Sequence, residues 1–412
     1  MNDTVGVVVD AYTTGNLLPA AFAAHGVRLV HVQAASEISD ALPGPVLANF
    51  ADNIVFDGDT LDRLRALDPV CVVAGQDSGV ALADQLSERL GLPSNGSASS
   101  PVRRDKYRMI ERLRADGLHC ARQFRAADPA DLVRWVKENT AYPVVVKPVR
   151  SAGTDRVRVC HDDAAVEAAA RAVLAAPDVY GSANSDVLVQ SYLPGEEYIV
   201  DTVSRDGRRF VCGVWRYHKR LVADGRPVYD RDVLLDPAEA PVDELIGYVD
   251  RALTSLGIRH GSAHAEVIMT PDGPALVEVG ARMNGNMNPA FHDACLGHNQ
   301  AALTALAYLD PAGFRARYAG RSYAPRQQAM VCNTATDRAG VVAAVDSGVV
   351  GRIAALPTVH AVVVKLKPGD RLRPTRDLLS APLRIFLTGP SAGMAADYAA
   401  IQALKDDVYA LR

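Results

Sequence analysis

Short apolar runs alternate with amphipathic stretches at the start of the chain. Residues 5–10 (VGVVVD) form a strand-length apolar run ending in a turn, and residues 17–25 then carry helical spacing. Residues 27–32 and 70–74 read as further strands. The helix expected at 80–90 stops at Gly91, with Pro93 just beyond. Strands alternating with helices predict a small parallel α/β unit over residues 1–100. The polar, small-residue loop SNGSASSP at 94–101 marks its end.

The pattern then changes. Residues 103–116 are a charged helical stretch closed by Gly117, and 131–139 and 162–176 are further helices. Strands are expected at 142–148 and 187–192. Residues 197–203, 210–217, 263–269 and 274–279 read as antiparallel strands, broken by turns at Asp206-Gly207 and Asp272-Gly273. Near the end come strands at 359–367 and 383–388 and a closing helix at 391–411. The fold class is therefore α/β followed by α+β, in three parts: 1–100, 101–320 (subdivided at 190/191) and 321–412.

Composition narrows the function. A net charge of −4 leaves no electrostatic footprint for nucleic acid or an anionic membrane. No run approaches the ~18 apolar residues of a membrane span, and the first residues, MNDTVGVVVD, lack a signal peptide's basic start. The cysteines at 71, 120, 160, 212, 295 and 332 form no CxxC pair, so free, buried thiols in a reducing cytoplasm are expected. The first α/β unit has no GxGxxG, which argues against a dinucleotide site there. Only seven of the 44 basic residues are Lys, which adds weight to each lysine used in place of Arg.

Three constellations carry chemistry. In the first, Lys147 ends the apolar strand YPVVVKP and is followed by RSAGTDR (150–156). A lysine leaving a buried strand can aim its ammonium at a phosphate, and the small residues Ser151, Gly153 and Thr154 can present backbone N–H groups to the same anion. In the second, VLVQSYLPGEEY (187–198) breaks an apolar strand at Pro-Gly. The exposed backbone there suits an adenine edge, and Glu197 can accept two ribose hydroxyls. The third is the strongest: HAEVIM from His264, a DG turn, then PALVEVGARMNGNMNP from Pro274. A tight hairpin sets Glu266 beside Glu278, and paired carboxylates are the hard oxygen ligands that hold Mg²⁺ against nucleotide phosphates. Glu278 interrupts an apolar strand, where an unpaired charge is costly. Arg282 follows in a Gly/Asn-rich loop, where its fork can stabilise a transferring phosphoryl group. His292 and His298, six apart, and Trp135 and Trp215 read as structural residues.

Together these motifs resemble the ATP-grasp superfamily, and within it the dipeptide-forming L-amino acid ligases. The stretch from VVAGQDSG (72–79) to RRDKYRM (103–109) looks like this family's entry into its nucleotide domain. The resemblance covers about residues 70–300 and implies an ATP-grasp fold between an N-terminal pre-ATP-grasp domain and a C-terminal α+β extension. It matches Lys106 and Lys147 to phosphate contacts, Gln190 and Leu193 to the adenine-binding linker, and Glu197 to the ribose-binding acid. Glu266 and Glu278 become the metal ligands, for Mg²⁺ or Mn²⁺, and Arg282 the acyl-phosphate arginine. GVWRYHKR (213–220) is similar to substrate-site sequence, so His218 joins His264, Asn284 and Asn286 as substrate-binding candidates. Many family members have Asn two residues after the second metal acid; here that residue is Gly280, so metal coordination leans on Asn284 or water. Asn286 occupies the position that gates substrate size in some relatives, and Gln76 stands where similar sequences carry an acid.

The implied reaction is ATP-dependent joining of a carboxylate to an amine, both small molecules, through an acyl phosphate under a lid containing residues 151–156. A homodimer is expected by resemblance. The alternatives are an ATP-grasp carboxylase or purine-pathway type of enzyme, and a catalytically silent ATP-binding regulatory protein. Retention of both acids and of Arg282 speaks against the silent binder.

Overall fold

The computed structural model describes residues 4–34, 42–151, 153, 155–178, 181–221 and 227–412. The chain forms two compact units. The first comprises Met1–Cys212, Ala240–Pro289 and Asn299–Tyr323, and the second Gly213–Glu239, Ala290–His298 and Ala324–Arg412.

The first unit begins with β1 (Thr4–Val9), α1 (Leu18–Ala23), β2 (Val27–Gln33), β3 (Asp52–Val55), α2 (Thr60–Leu67), β4 (Val72–Ala74) and α3 (Val80–Arg89). The strands make a parallel sheet in the order β3-β2-β1-β4. Val7, Val8 and Val9 are all fully buried, Val8 beside Phe22 and its two neighbours beside Leu86. A strand covered on both faces reads as a continuous apolar run rather than an alternating one.

The charged stretch after the 94–101 loop is two helices, α4 (Ser100–Arg104) and α5 (Lys106–Ala115), rather than the single helix expected. Asp105 interrupts them in extended conformation, and its carboxylate caps α5 by accepting from the Arg108 N–H. The break makes Lys106 the first residue of α5. Next come β5 (Gln123–Ala126), α6 (Pro129–Asn139), β6 (Val144–Pro148), β7 (Arg158–Cys160), α7 (Asp163–Leu174) and β8 (Val187–Ser191). They form an antiparallel sheet in the order β5-β8-β6-β7, with a core that includes Leu132, Val136, Val144, Val146, Val166 and Val189. Trp135 packs against this core and stacks on Phe124, as a structural residue does.

The site is carried by β9 (Glu196–Arg205), the start of β10 (Arg208–Leu221), and, after β11 (Pro227–Leu234) and α8 (Val242–Ser255), by β12 (Gly261–Thr270) and β13 (Gly273–Gly280). β12 pairs antiparallel with β9 on one side and β13 on the other. α9 (Pro289–Leu296), α10 (Gln300–Leu309), α11 (Pro311–Arg317) and β14 (Arg321–Ser322) follow. Met283 and Met287 are buried with Ala301 and Ala305 of α10 and with Leu18 and Phe22, which pins the loop after β13 into the core.

In the second unit, β11 is followed across the sheet by β15 (Ala329–Asn333), β19 (Leu383–Thr388) and β17 (Val359–Val364), all antiparallel. β16 (Gly340–Val345), α12 (Ser347–Ala354), β18 (Arg371–Leu372), α13 (Ser391–Leu404) and β20 (Tyr409–Leu411) complete it. The closing helix expected to reach residue 411 ends at Leu404. The last residues instead pair with β16 and bury Val408 and Tyr409 beside Ile353 and Ile401. An open strand edge with an apolar core beneath it outweighs helical spacing near a chain end. His298 lies beyond α9, which stops at Leu296, and follows Gly297, whose φ is 79°. Trp215 is buried between Phe291 and His292. All six cysteines are free, five of them buried and Cys120 half-buried. Among the described residues no helix is long and apolar enough to cross a membrane.

Candidate functional site

The Asp272-Gly273 turn sets the register of the hairpin as far as Val267, opposite Leu276, and a bulge between Glu266 and Val267 then brings Glu266 of β12 directly opposite Glu278 of β13. Like charges facing each other across a ladder repel, and the structure answers that repulsion unequally. Lys106, placed by the break before α5, brings Nζ to 2.6 Å from Glu278 Oε2 and also donates to the Ser151 carbonyl at 2.6 Å. Burial would raise Glu278, but the Lys106 ammonium and, further off, Lys147 outweigh it and hold this carboxyl below the usual range. Glu266 is pushed the other way, by burial and by the charge of Glu278. Lys147, 5% exposed at the end of β6, is pushed down to about 8 by burial and by Lys106, against the pull of Glu278, Glu266 and Glu197.

A second network stands behind the hairpin. His264, opposite Asp201 in the β9–β12 ladder, has Nδ1 at 2.8 Å from Asp201 Oδ1 and Nε2 at 3.4 Å from Glu266 Oε1. Burial lowers its pKa, but the charge and hydrogen bond of Asp201 and the bond to Glu266 carry it up to about 9. The second oxygen of Asp201 accepts from Asn284 Nδ2 at 2.8 Å. Asn284 Oδ1 in turn accepts from the Asn286 N–H at 2.7 Å, and the Asn284 N–H donates to Gln300 Oε1. Gln300 completes the brace by donating to the Thr202 and Ala263 carbonyls. Arg282 leaves the end of β13 with Nε donating to Asp77 Oδ2 at 2.9 Å and Nη1 to the Met283 carbonyl at 2.8 Å.

The first unit thus brings together Lys106, Lys147, Glu197, Glu266, Glu278, His264, Asn284, Asn286 and Arg282. Glu197 is buried opposite Ile268 on β9, two positions along the ladder from Ile199, the partner of Glu266. Gln190 spends its side chain inside the small sheet, where Nε2 donates to Gln123 Oε1 at 2.9 Å. Leu193 is half-buried in the linker that follows. Gly195 in that linker has φ 151°, and a Cβ there would lie 1.9 Å from the Met269 carbonyl oxygen, so only Gly lets the linker approach β12. Ser151 Oγ donates to Asp155, and Gly153 has φ 68°. Thr154, expected in the same loop, lies outside the described residues. His218 belongs to the second unit, on β10 opposite Arg231. The carboxamide of Asn284, expected to help hold a metal, is engaged at both ends by Asp201 and Asn286.

Sequence reasoning passed over Asp77, Asp201 and Gln300. Asp201, like Glu278, is a charge set among apolar strand residues, in the run YIVDTV of β9. Asp77 stood beside Gln76, which drew attention only as a departure. Gln300 carried no local signal.

The acid pair fits a hard divalent cation. Glu266 is pushed up by burial and by the carboxylate that faces it, and a bound positive charge would relieve that repulsion. Among the described residues no group of three or more His, Cys, Asp or Glu could hold a metal ion. Mg²⁺ held by one or two carboxylates commonly takes its remaining ligands from phosphate or water.

Paired acids on a hairpin, a lysine on one of them and an arginine at the strand exit are an arrangement able to meet the phosphates of a nucleotide. The profile of the ATP-grasp domain family matches residues 140–289. Dapdiamide A synthase of Enterobacter agglomerans is 38% identical over 319 residues, covering 76% of this chain and 75% of that protein. Carnosine synthase 1 of Gallus gallus is 28% identical over 243 residues, 54% of this chain and 25% of that protein. The crystal structure of an L-amino acid ligase from Bacillus licheniformis matches with a TM-score of 0.75 at 18% identity, covering 100% of this chain and 99% of that one. Phosphoribosylglycinamide synthetase from Anaerococcus prevotii gives 0.66 at 13%, covering 99% of each chain; at such identities these two likenesses speak for the fold. The chain belongs to the ATP-grasp family, as one of its carboxylate–amine ligases.

Proposed function

We propose that this ligase activates a small carboxylate with ATP as an acyl phosphate and passes the acyl group to an amine, releasing ADP and phosphate. The observation that carries the reading is Glu266 facing Glu278 with Lys106 on one of them and the charge of Lys147 acting on both. A carboxylate acylates poorly, because its charge repels a nucleophile and oxide leaves badly. Attack of its oxygen on the γ-phosphorus breaks the bond to the β,γ-bridging oxygen, and ADP departs. The amine then adds to the acyl carbon, loses a proton, and expels phosphate.

Glu266 and Glu278 would hold Mg²⁺ or Mn²⁺, which supplies positive charge against the phosphate oxygens. Lys106 and Lys147 add charge on the same side, and the backbone around Ser151 and Gly153 offers N–H donors. Arg282 meets the charge that develops on the phosphoryl group in both steps. The linker around Leu193 takes the adenine edge, and Glu197 the ribose. His264, Asn284 and Asn286 shape the substrate end. An amino-acid carboxylate and a second amino acid as the amine are the substrate classes favoured. The relatives point the same way: an L-amino acid ligase shares the fold, and synthases of dapdiamide A and carnosine share sequence.

The test is a phosphate-release screen over pairs of free and N-acylated amino acids, with mass spectrometry of the products and Glu278→Gln as control. Phosphate and an amide product should appear together for at least one pair, and the control should lose both. ATP binding without phosphate release from any pair would mark a silent binder. A fully active Glu278→Gln would remove the acid pair from the reading.

A further inference from the structure

We propose that Asp77 is the positioning residue for Arg282, and that Gly280 keeps open the space the pair needs; this rests on the reading that Arg282 meets the acyl phosphate. The frame around Asp77 is tight. A Cβ on Gly75 would lie 2.7 Å from both Ala11 Cα and the Asp10 carbonyl oxygen, and one on Gly79 would lie 2.4 Å from the Val9 carbonyl oxygen. The turn between these glycines therefore lies directly on the end of β1. Gln76 closes it: Oε1 accepts from the Asp77 N–H at 2.8 Å while Nε2 donates to Thr13 Oγ1 at 2.8 Å.

The carboxylate that projects from this turn is buried, with Arg282 Nε at 2.9 Å from one oxygen and Arg104 Nη1 at 4.0 Å from the other. Burial raises its pKa, but Arg282 and Arg104 outweigh that and keep it ionised. A guanidinium is a planar, rigid fork. Held at Nε by Asp77 and at Nη1 by the Met283 carbonyl, the plane of Arg282 is fixed before substrate arrives.

Gly280 is the third part of the device. A Cβ there would lie 2.9 Å from Asp77 Oδ1, 3.2 Å from Arg282 Nε and 3.3 Å from its Cζ. Any side chain at this position would enter the ion pair. The glycine and the Asp77–Arg282 pair belong together. Asp77 acts through Arg282 and needs no contact with substrate.

The experiment measures steady-state kinetics of the full-length chain with ATP and the amino-acid pair giving most phosphate in the screen above. Wild type is compared with Asp77→Asn, Gly280→Ala, Arg282→Ala and the Asp77→Asn/Arg282→Ala double variant. Asp77→Asn should lower kcat by about 10–100-fold, the range seen when a supporting partner of a site residue is lost. Its KM for ATP should stay within about twofold. Gly280→Ala should move kcat in the same direction, and the double variant should be no worse than Arg282→Ala alone. Additive losses, or a fall in kcat matched by weakened ATP binding and a lower melting temperature, would show a merely structural role and overturn the proposal. Full activity in Asp77→Asn with an impaired Arg282→Ala overturns the positioning alone. A fully active Arg282→Ala instead overturns the reading beneath it.

Discussion

Replacing Asp201 by Asn removes one charge from a buried chain of groups that runs from the loop after β13 to Glu266. Asp201 is 3% exposed and His264 4%, so solvent screens their interaction little. Held between Asp201 and Glu266, His264 is raised from its ordinary 6.5 to about 9. At 1.36 kcal/mol for each tenfold change in proton affinity, that preference for the imidazolium amounts to about 3 kcal/mol. Because the folded value is the higher one, this stabilisation is fully present below pH 6.5 and is lost as pH rises through about 9. The direct assay is an NMR titration of the imidazole resonances, with the other nine histidines as internal references. His264 should titrate near 9 in the wild type and fall back toward the ordinary value in Asp201→Asn. Urea denaturation should show the stability difference between wild type and variant shrinking as pH rises from 7 to 9. A wild-type His264 titrating at or below 6.5, or parallel stability curves for the two proteins, would refute an imidazolium held between two carboxylates.

Three further outcomes follow from the same geometry. Lys147 is lowered to about 8 by burial, so its ammonium is lost from the free protein above that pH. ATP affinity measured by calorimetry should then fall by roughly tenfold per pH unit beyond it, whereas Lys147→Met should bind weakly with no such dependence. Folding stability should move oppositely, rising between pH 8 and 10.5, where the unfolded chain holds the proton that folded Lys147 has given up. Arg103, fully buried at 2.7 Å from Asp84 and donating also to the Leu256 carbonyl, leaves an unpaired buried charge when changed to Met. Arg103→Met should cost about 3–5 kcal/mol in urea denaturation, and adding Asp84→Asn should recover part of it. Gly195→Ala puts a Cβ against the Met269 carbonyl at a φ of 151°. Strain of about 1–3 kcal/mol should displace the linker and weaken ATP binding by roughly tenfold.

The sequence by itself determined the local pieces of this protein. The DG turn placed Glu266 and Glu278 on one hairpin, but its register alone would set Glu266 against Val277, and the bulge between Glu266 and Val267 is what brings the two acids face to face. The run of valines in β1 announced a strand covered on both faces, and Asp105 carried the N-cap signal that splits the charged stretch, although the split itself was not read. What joins those pieces came from tertiary structure. Lys106 reaches Glu278 across 172 positions of sequence, Asp77 reaches Arg282 across 205, and Asp201 gathers His264 and Asn284 from two different segments. Such pairings leave no periodicity, because they depend on where three strands and two helix ends converge rather than on neighbours along the chain. The same holds for the end of the chain, where residues with helical spacing became β20 because β16 offered an unpaired edge. Gly280 sums up the division. From the sequence it was a departure from a family pattern, and in the folded protein it is the gap that lets a carboxylate from the first sheet take hold of the arginine at the end of β13.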